Sequence, residues 1–268
     1  GPVNLNNGTF IYMAFAADPD TEAPTVAKSF AVQTYSGNGG TQSLDGFGFT
    51  PSMIWTKGRT VAYDHGLYDS VRGGGSLIYP SLSQAASTVT NGIQSFDADG
   101  VTFGANNKSN ASDSTYVTWA WKADDNEPAI NTEGSIDSIV SANANAGFSI
   151  VKYTGTGSNT TIGHGLSAAP EMMIIKNLDQ ADSWVVYHSA IGTSQFLNLD
   201  SSTAASGSGD IFGTPSDTGV APTSTLFTVG SNHKSGASGE NYIAYCFHSV
   251  SGYSKFGSYS GTGSSGNS

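Results

Sequence analysis

The residues best suited to chemistry gather in Tyr63-Asp64-His65-Gly66-Leu67-Tyr68-Asp69, with Lys57, Arg59 and Arg72 close by. Carboxylates and cations can hydrogen-bond hydroxyls while a ring stacks on the apolar face of a sugar. Asp64, His65, Tyr68 and Arg72 are therefore candidate ligand contacts. The competing reading is a structural ion pair tying two strands. Trp184, Tyr187 and His188 offer a second platform. Strand alternation sets Trp184 and Val186 on one face and Val185 and Tyr187 on the other, so at least one aromatic belongs to the core. Ile211 and Phe212 are the large apolar residues of a polar loop between Gly207 and Pro222. They are placed either to touch a ligand or to fold back on the body.

Asp97-Ala98-Asp99-Gly100 partly resembles a calcium loop, since Asp-x-Asp-Gly supplies oxygens and a sharp turn. Asp97 and Asp99 are metal candidates on that ground, and a structural calcium is the one cofactor the sequence suggests. The downstream bidentate glutamate of the twelve-residue loop is missing, and a hairpin turn explains the same residues. The histidines His65, His164, His188, His233 and His248 share no zinc spacing. Glycoside hydrolysis needs two carboxylates about 5 to 10 Å apart. Glu127, Glu133 and Glu240 fall in linker or loop, and loop aspartates usually form turns. No nucleophile elbow, phosphate loop or Cys/His nucleophile pair is present, so the chain is not expected to be an enzyme.

These groups must be positioned by strands, and one strand is written three times. Thr9-Phe10-Ile11-Tyr12-Met13-Ala14-Phe15 returns as Thr115-Tyr116-Val117-Thr118-Trp119-Ala120-Trp121 and as Asn241-Tyr242-Ile243-Ala244-Tyr245-Cys246-Phe247. Alternate residues are large and apolar, which predicts one face on a core. The small residues on the other face, Ala14, Ala120 and Cys246 among them, predict that something packs closely there too. A strand covered on both faces suits a sandwich. Cys246 has no partner cysteine in the chain and reads as a packing residue.

Other units recur in the same order. Phe30 to Gly39 matches Phe148 to Gly157 and then Phe256-Gly257-Ser258-Tyr259-Ser260-Gly261. Phe49 to Lys57 matches Leu166 to Lys176, with Pro51 and Pro170 119 residues apart, and a proline at a strand's start costs no ladder bond. Gly104 to Ser112 matches Gly230 to Ser238 at a spacing of 126, placing an insertion in the loop after Gly207. No stretch has a helical period with caps. The expected class is all-β, with two tandem antiparallel β-sandwich repeats. The expected boundaries are residues 1–27 (terminal strand of a preceding repeat plus connector), 28–127 (first repeat), 128–146 (connector strand) and 147–268 (second repeat with the first strand of a following one).

The chain has 268 residues, 37% hydrophobic and 11% aromatic, enough to fill cores, and only 12% are charged. With 10 basic against 21 acidic residues the net charge is −11, which disfavours nucleic acid and anionic membranes as partners. No apolar run approaches the ~18 residues of a membrane-spanning helix. Gly1-Pro2 has the form of a protease scar, so a longer parent polypeptide is expected.

Leu67-Tyr68-Asp69-Ser70-Val71-Arg72-Gly73, Trp184-Val185-Val186-Tyr187-His188 and Gly252-Tyr253-Ser254-Lys255-Phe256-Gly257-Ser258-Tyr259, in this order with the proline-led strands, resemble a repeat of bacteriophage tail and appendage proteins, many of them marine. The resemblance covers nearly the whole chain. It implies lectin-type jelly rolls or SPRY-like sandwiches in an extracellular virion fibre. The partners it implies are a host cell-surface glycan or protein and neighbouring repeats or other virion proteins. It brings no catalytic motif. A structural spacer or decoration repeat is the alternative expectation, and a surface-polysaccharide depolymerase the third.

Overall fold

The computed structural model describes residues 3–16, 28–213 and 218–264. It is all-β, with no helix among the described residues, and its strand pairs are antiparallel sheets in the manner of the β-sandwich class. After β1 (Thr9–Phe15), the first half contains β2 (Phe30–Ser36), β3 (Gln42–Asp45), β4 (Met53–Gly58), β5 (Gly66–Asp69), the short β6 (Ser76–Leu77) and β7 (Ser87–Thr88), β8 (Ile93–Asp97), β9 (Gly100–Phe103) and β10 (Thr115–Trp121). The second half contains β11 (Ala129–Asn131), β12 (Ser138–Asn143), β13 (Phe148–Thr154), β14 (Thr160–Gly163), β15 (Met172–Asn177), β16 (Val185–His188), β17 (Gly192–Asn198), β18 (Ser206–Gly207), β19 (Leu226–Val229) and β20 (Asn241–Phe247). Finally comes β21 (Ser254–Ser260).

In the first half the sheet β2-β10-β4-β5 lies on the sheet β3-β9-β8. Tyr35, Ile54, Tyr68, Tyr116 and Ala120 of the one meet Leu44, Val101 and Phe103 of the other. In the second half β13-β20-β15-β16 is the middle of an eight-stranded sheet whose Tyr153, Tyr242, Ala244 and Cys246 meet Ile162, Phe227 and Val229 of β14 and β19. The small residues of the recurrent strand therefore do admit a close second layer. The segment expected as a connector strand at 128–146 supplies β11 and β12, which extend this sheet at its edge. The connector expected before residue 28 lies largely outside the described residues.

The large apolar alternates look the other way, into a core shared between the halves. The last residue of each recurrent strand meets its counterparts there: the Phe15 ring lies 5.7 Å from Trp121 and 6.0 Å from Phe247. Period 2 is thus satisfied twice, once by the layer inside each half and once by the other copies.

The two terminal strands pair with each other, and in the register of the complete copies. Phe10 stands opposite Tyr259 as Tyr116 does opposite Tyr35 and Tyr242 opposite Tyr153. The three ring pairs stack at 5.1, 5.4 and 5.3 Å. Two residues before each strand the backbone is left-handed, at Asn7 (φ 60), Asp113 (φ 58) and Gly239 (φ 79), residue types that tolerate that conformation. The same loop follows each time: the hydroxyls of Tyr259, Tyr35 and Tyr153 donate to the carbonyls of Val3, Ser109 and Ser235. Phe256 occupies the place of Val32 and Ile150, rather than that of Phe30 and Phe148 as the sequence match suggests, because Ser254 stands opposite Phe15. Among the described residues the β1–β21 ribbon has no second layer on its outer face, and Tyr12 is 39% exposed where its counterparts Thr118 and Ala244 are fully buried.

Candidate functional site

The open aromatic surface lies between this ribbon and the inner face of the first half. A cleft of about 310 Å³ is lined by Met13, Phe15, Phe30, Trp55, His65, Trp119 and Trp121. Strand pairing sets the tryptophans: Trp55 of β4 is directly opposite Trp119 of β10, with rings 6.4 Å apart and nearly perpendicular, and Trp121 is opposite Phe30. Cross-strand neighbours share a face, so an aromatic wall follows from the register alone. β1 closes the other side with Met13, 37% exposed, and with Phe15, whose ring stacks on Phe30 at 5.0 Å.

His65 brings the cleft its polar atom. Indole nitrogen can only donate, so the 2.9 Å bond from Trp55 Nε1 to His65 Nδ1 makes that imidazole nitrogen the acceptor and leaves the proton of the neutral ring on Nε2. Burial lowers the His65 pKa, Lys57 lowers it further and Asp64 opposes both, so at neutral pH the ring is an uncharged donor. The wall can stack on a flat apolar surface and the imidazole can bond a hydroxyl. Among the described residues lining the cleft, His65 is the one titratable side chain.

Several residues expected at a site serve the structure instead. Asp64 is held 3.3 Å from Lys108, whose ammonium lies over the Tyr63 ring. Tyr68 is fully buried in the first half's core, and burial raises its hydroxyl pKa well above the usual range. Arg72 is buried against Asp69, with Nε 2.7 Å from Oδ2, and also donates to the Ser76 carbonyl. Tyr245 of the second half donates to the same Asp69 oxygen at 2.6 Å, so the ion pair ties the two halves together rather than meeting a ligand. A buried pair needs such extra bonds to offset desolvation.

Trp184 is 0% exposed, and its Nε1 donates to the carbonyls of Tyr79 (3.0 Å) and Leu82 (3.1 Å) across the junction. Tyr187 is buried in the second core with its ring edge-on to Phe212, and Ile211 and Phe212 are buried there too, so these two residues pack on the body. His188 is fully buried, its Nδ1 accepting from the Ala190 amide. The Asp97–Gly100 segment is a hairpin turn: Asp97 accepts from Thr102 Oγ1, and Asp99 accepts from the amides of Gly46 and Gly48. No cluster of three or more His, Cys, Asp or Glu side chains is placed for a metal among the described residues. Burial pushes the Cys246 thiol up to about 12, as befits a packing residue.

Of the expected contacts only His65 lines the cleft. Met13, Phe15, Trp119 and Trp121 carry the alternation expected of a core face, and the signal for the cleft is the unequal number of strand copies. A third recurrent strand that pairs only with β21 among the described residues leaves part of an inner face uncovered. Residues 25–268 match a family model described as a domain of unknown function (DUF7483). No curated protein and no solved structure matches the chain.

Proposed function

We propose that this chain, which belongs to the DUF7483 family, is a non-catalytic binding module of a bacteriophage appendage, exposed on the virion, whose cleft takes a sugar of the host surface. The observation that carries this reading is the aromatic wall of Trp55, Trp119 and Trp121 with one neutral donor beside it. Stacking on the apolar face of a pyranose with one oriented hydroxyl bond is the chemistry such a wall supports. The order of sequence motifs supports the appendage setting. The two halves are read as tandem lectin-like β-sandwich repeats, and copies along a fibre would multiply a shallow single-site affinity.

Titrating host surface glycan into the chain while following tryptophan fluorescence tests this. Saturable change is expected, with Trp119→Ala weakening binding about tenfold, equivalent to about 1.4 kcal/mol. Labelled chain should also bind host cells and be displaced by the free glycan. Absence of displaceable binding by a chain that melts normally would leave the spacer reading in its place, and new reducing ends in the polysaccharide would mean hydrolysis.

A further inference from the structure

We propose that the outer edge of β1 is a docking site for an extended strand of this family's own repeat, of the kind that Met53–Gly58 and Met172–Asn177 provide within the chain, supplied from outside residues 1–268. The inference does not depend on what fills the cleft. Each recurrent strand has two edges, and hydrogen bonds at the strand ends identify them. In β10 the carbonyl of Ser114 and the amide of Lys122 bond the β2 side, through Gly37 and Ser29. The carbonyls of Thr115 and Trp121 bond the β4 side, through Arg59 and Ser52. In β20 the same division holds: Glu240 and His248 face β13, through Gly155 and Gly147, while Asn241 and Phe247 face β15, through Leu178 and Glu171.

The ribbon reproduces one side of this pattern. The carbonyl of Gly8 accepts from Gly261 and the amide of Ala16 donates to Tyr253, as their counterparts do. β1 pairs with β21 alone, so the amides and carbonyls of Thr9, Ile11, Met13 and Phe15 have no backbone partner among the described residues. An unpaired edge is a template for another strand, and main-chain bonds supply the affinity.

The two filled copies say what fits. Opposite the last recurrent residue stands a methionine, Met53 at Trp121 and Met172 at Phe247. Two places on stands a large apolar residue, Trp55 at Trp119 and Ile174 at Tyr245, and then a lysine, Lys57 at Val117 and Lys176 at Ile243. A strand with this alternation would meet Phe15, Met13 and Ile11 in turn. The chain's own two such strands are each already paired on both edges, so the occupant is neither of them.

The probe is a labelled peptide of residues 49–59 added to the full chain, with amide hydrogen exchange as the site-resolved readout. Residues Met53, Trp55 and Lys57 turn their amides toward the recurrent strand, and Ile54 and Thr56 turn theirs away. Saturable one-to-one binding is expected, with new protection at the amides of Thr9, Ile11, Met13 and Phe15. A peptide N-methylated at Trp55 should bind at least tenfold more weakly, and one N-methylated at Ile54 should bind like the parent. Equal binding of the two methylated peptides, protection elsewhere only, or a chain already dimeric with those four amides protected would each overturn the proposal.

Discussion

His65 and Trp184 occupy the same place in the two halves, immediately before the strand that pairs with β4 in one and β15 in the other. One frame thus has two uses. In the first half the inner face is built of Trp55 and Trp119, and His65 caps Trp55 at the rim of an open cleft. In the second half Ile174 and Tyr245 take those positions, and the aromatic residue has moved to the strand entrance, where Trp184 is sealed against the first half's carbonyls. The difference teaches that aromatic content by itself does not leave a face open. What decides is whether another copy covers the face.

The comparison breaks most visibly at Trp184. Trp184→Ala should cost about 3–5 kcal/mol, chiefly from the cavity and also from the Leu82 carbonyl that loses its indole donor, while the Tyr79 carbonyl still accepts from the Leu82 amide. Denaturant unfolding measures it, and a change of a few tenths would mean that the ring is not the anchor described. Trp55→Ala, at a partly buried rim, should cost less than half as much.

Next in size is the response to pH. Burial lowers the pKa of His65, His164 and His188 alike, so the unfolded chain takes up protons before the folded one. Stability from these rings is complete above their ordinary pKa near 6.5 and is lost as pH falls below it. Lys176, buried with its ammonium donating to the carbonyls of Asn177 and Gln180, has its pKa lowered to about 8 from 10.5. Between those values the unfolded state binds the extra proton, so this group makes stability rise with pH. Melting curves from pH 5 to 10 should show both slopes, and Lys176→Met should flatten the alkaline one.

The smallest effect is expected where the ribbon departs from the halves. Tyr12→Thr installs the residue found at the equivalent place in β10 and should change stability by no more than about 0.5 kcal/mol, because Tyr12 is exposed and no described residue layers that face. Thermal melting checks it. A large loss would mean that the outer face is covered in solution.

Much of this architecture is legible in the residues themselves. Alternation and the threefold recurrence locate β1, β10 and β20, the prolines at 51 and 170 mark the entry to their neighbours, and Ala120 and Cys246 foretell the close inner layers. The allocation of faces is not legible, because both faces of a recurrent strand are apolar and period 2 cannot say which meets a layer and which meets another copy. That is why Tyr68 and Arg72, polar in type, look like contacts and prove to be core and junction. The cleft depends on where β1 docks, a matter of pairing between residues 9–15 and 254–260 at opposite ends of the chain.

That pairing has a mechanical consequence. Thr9 lies opposite Ser260 and Phe15 opposite Ser254, so residues 3 and 264 leave the ribbon at the same end. Tension applied at those two points loads its ladder one rung at a time, as in a zipper, instead of straining all rungs together. Stretched in this way, the molecule should yield first at the β1–β21 seam, at low force, while both halves stay intact.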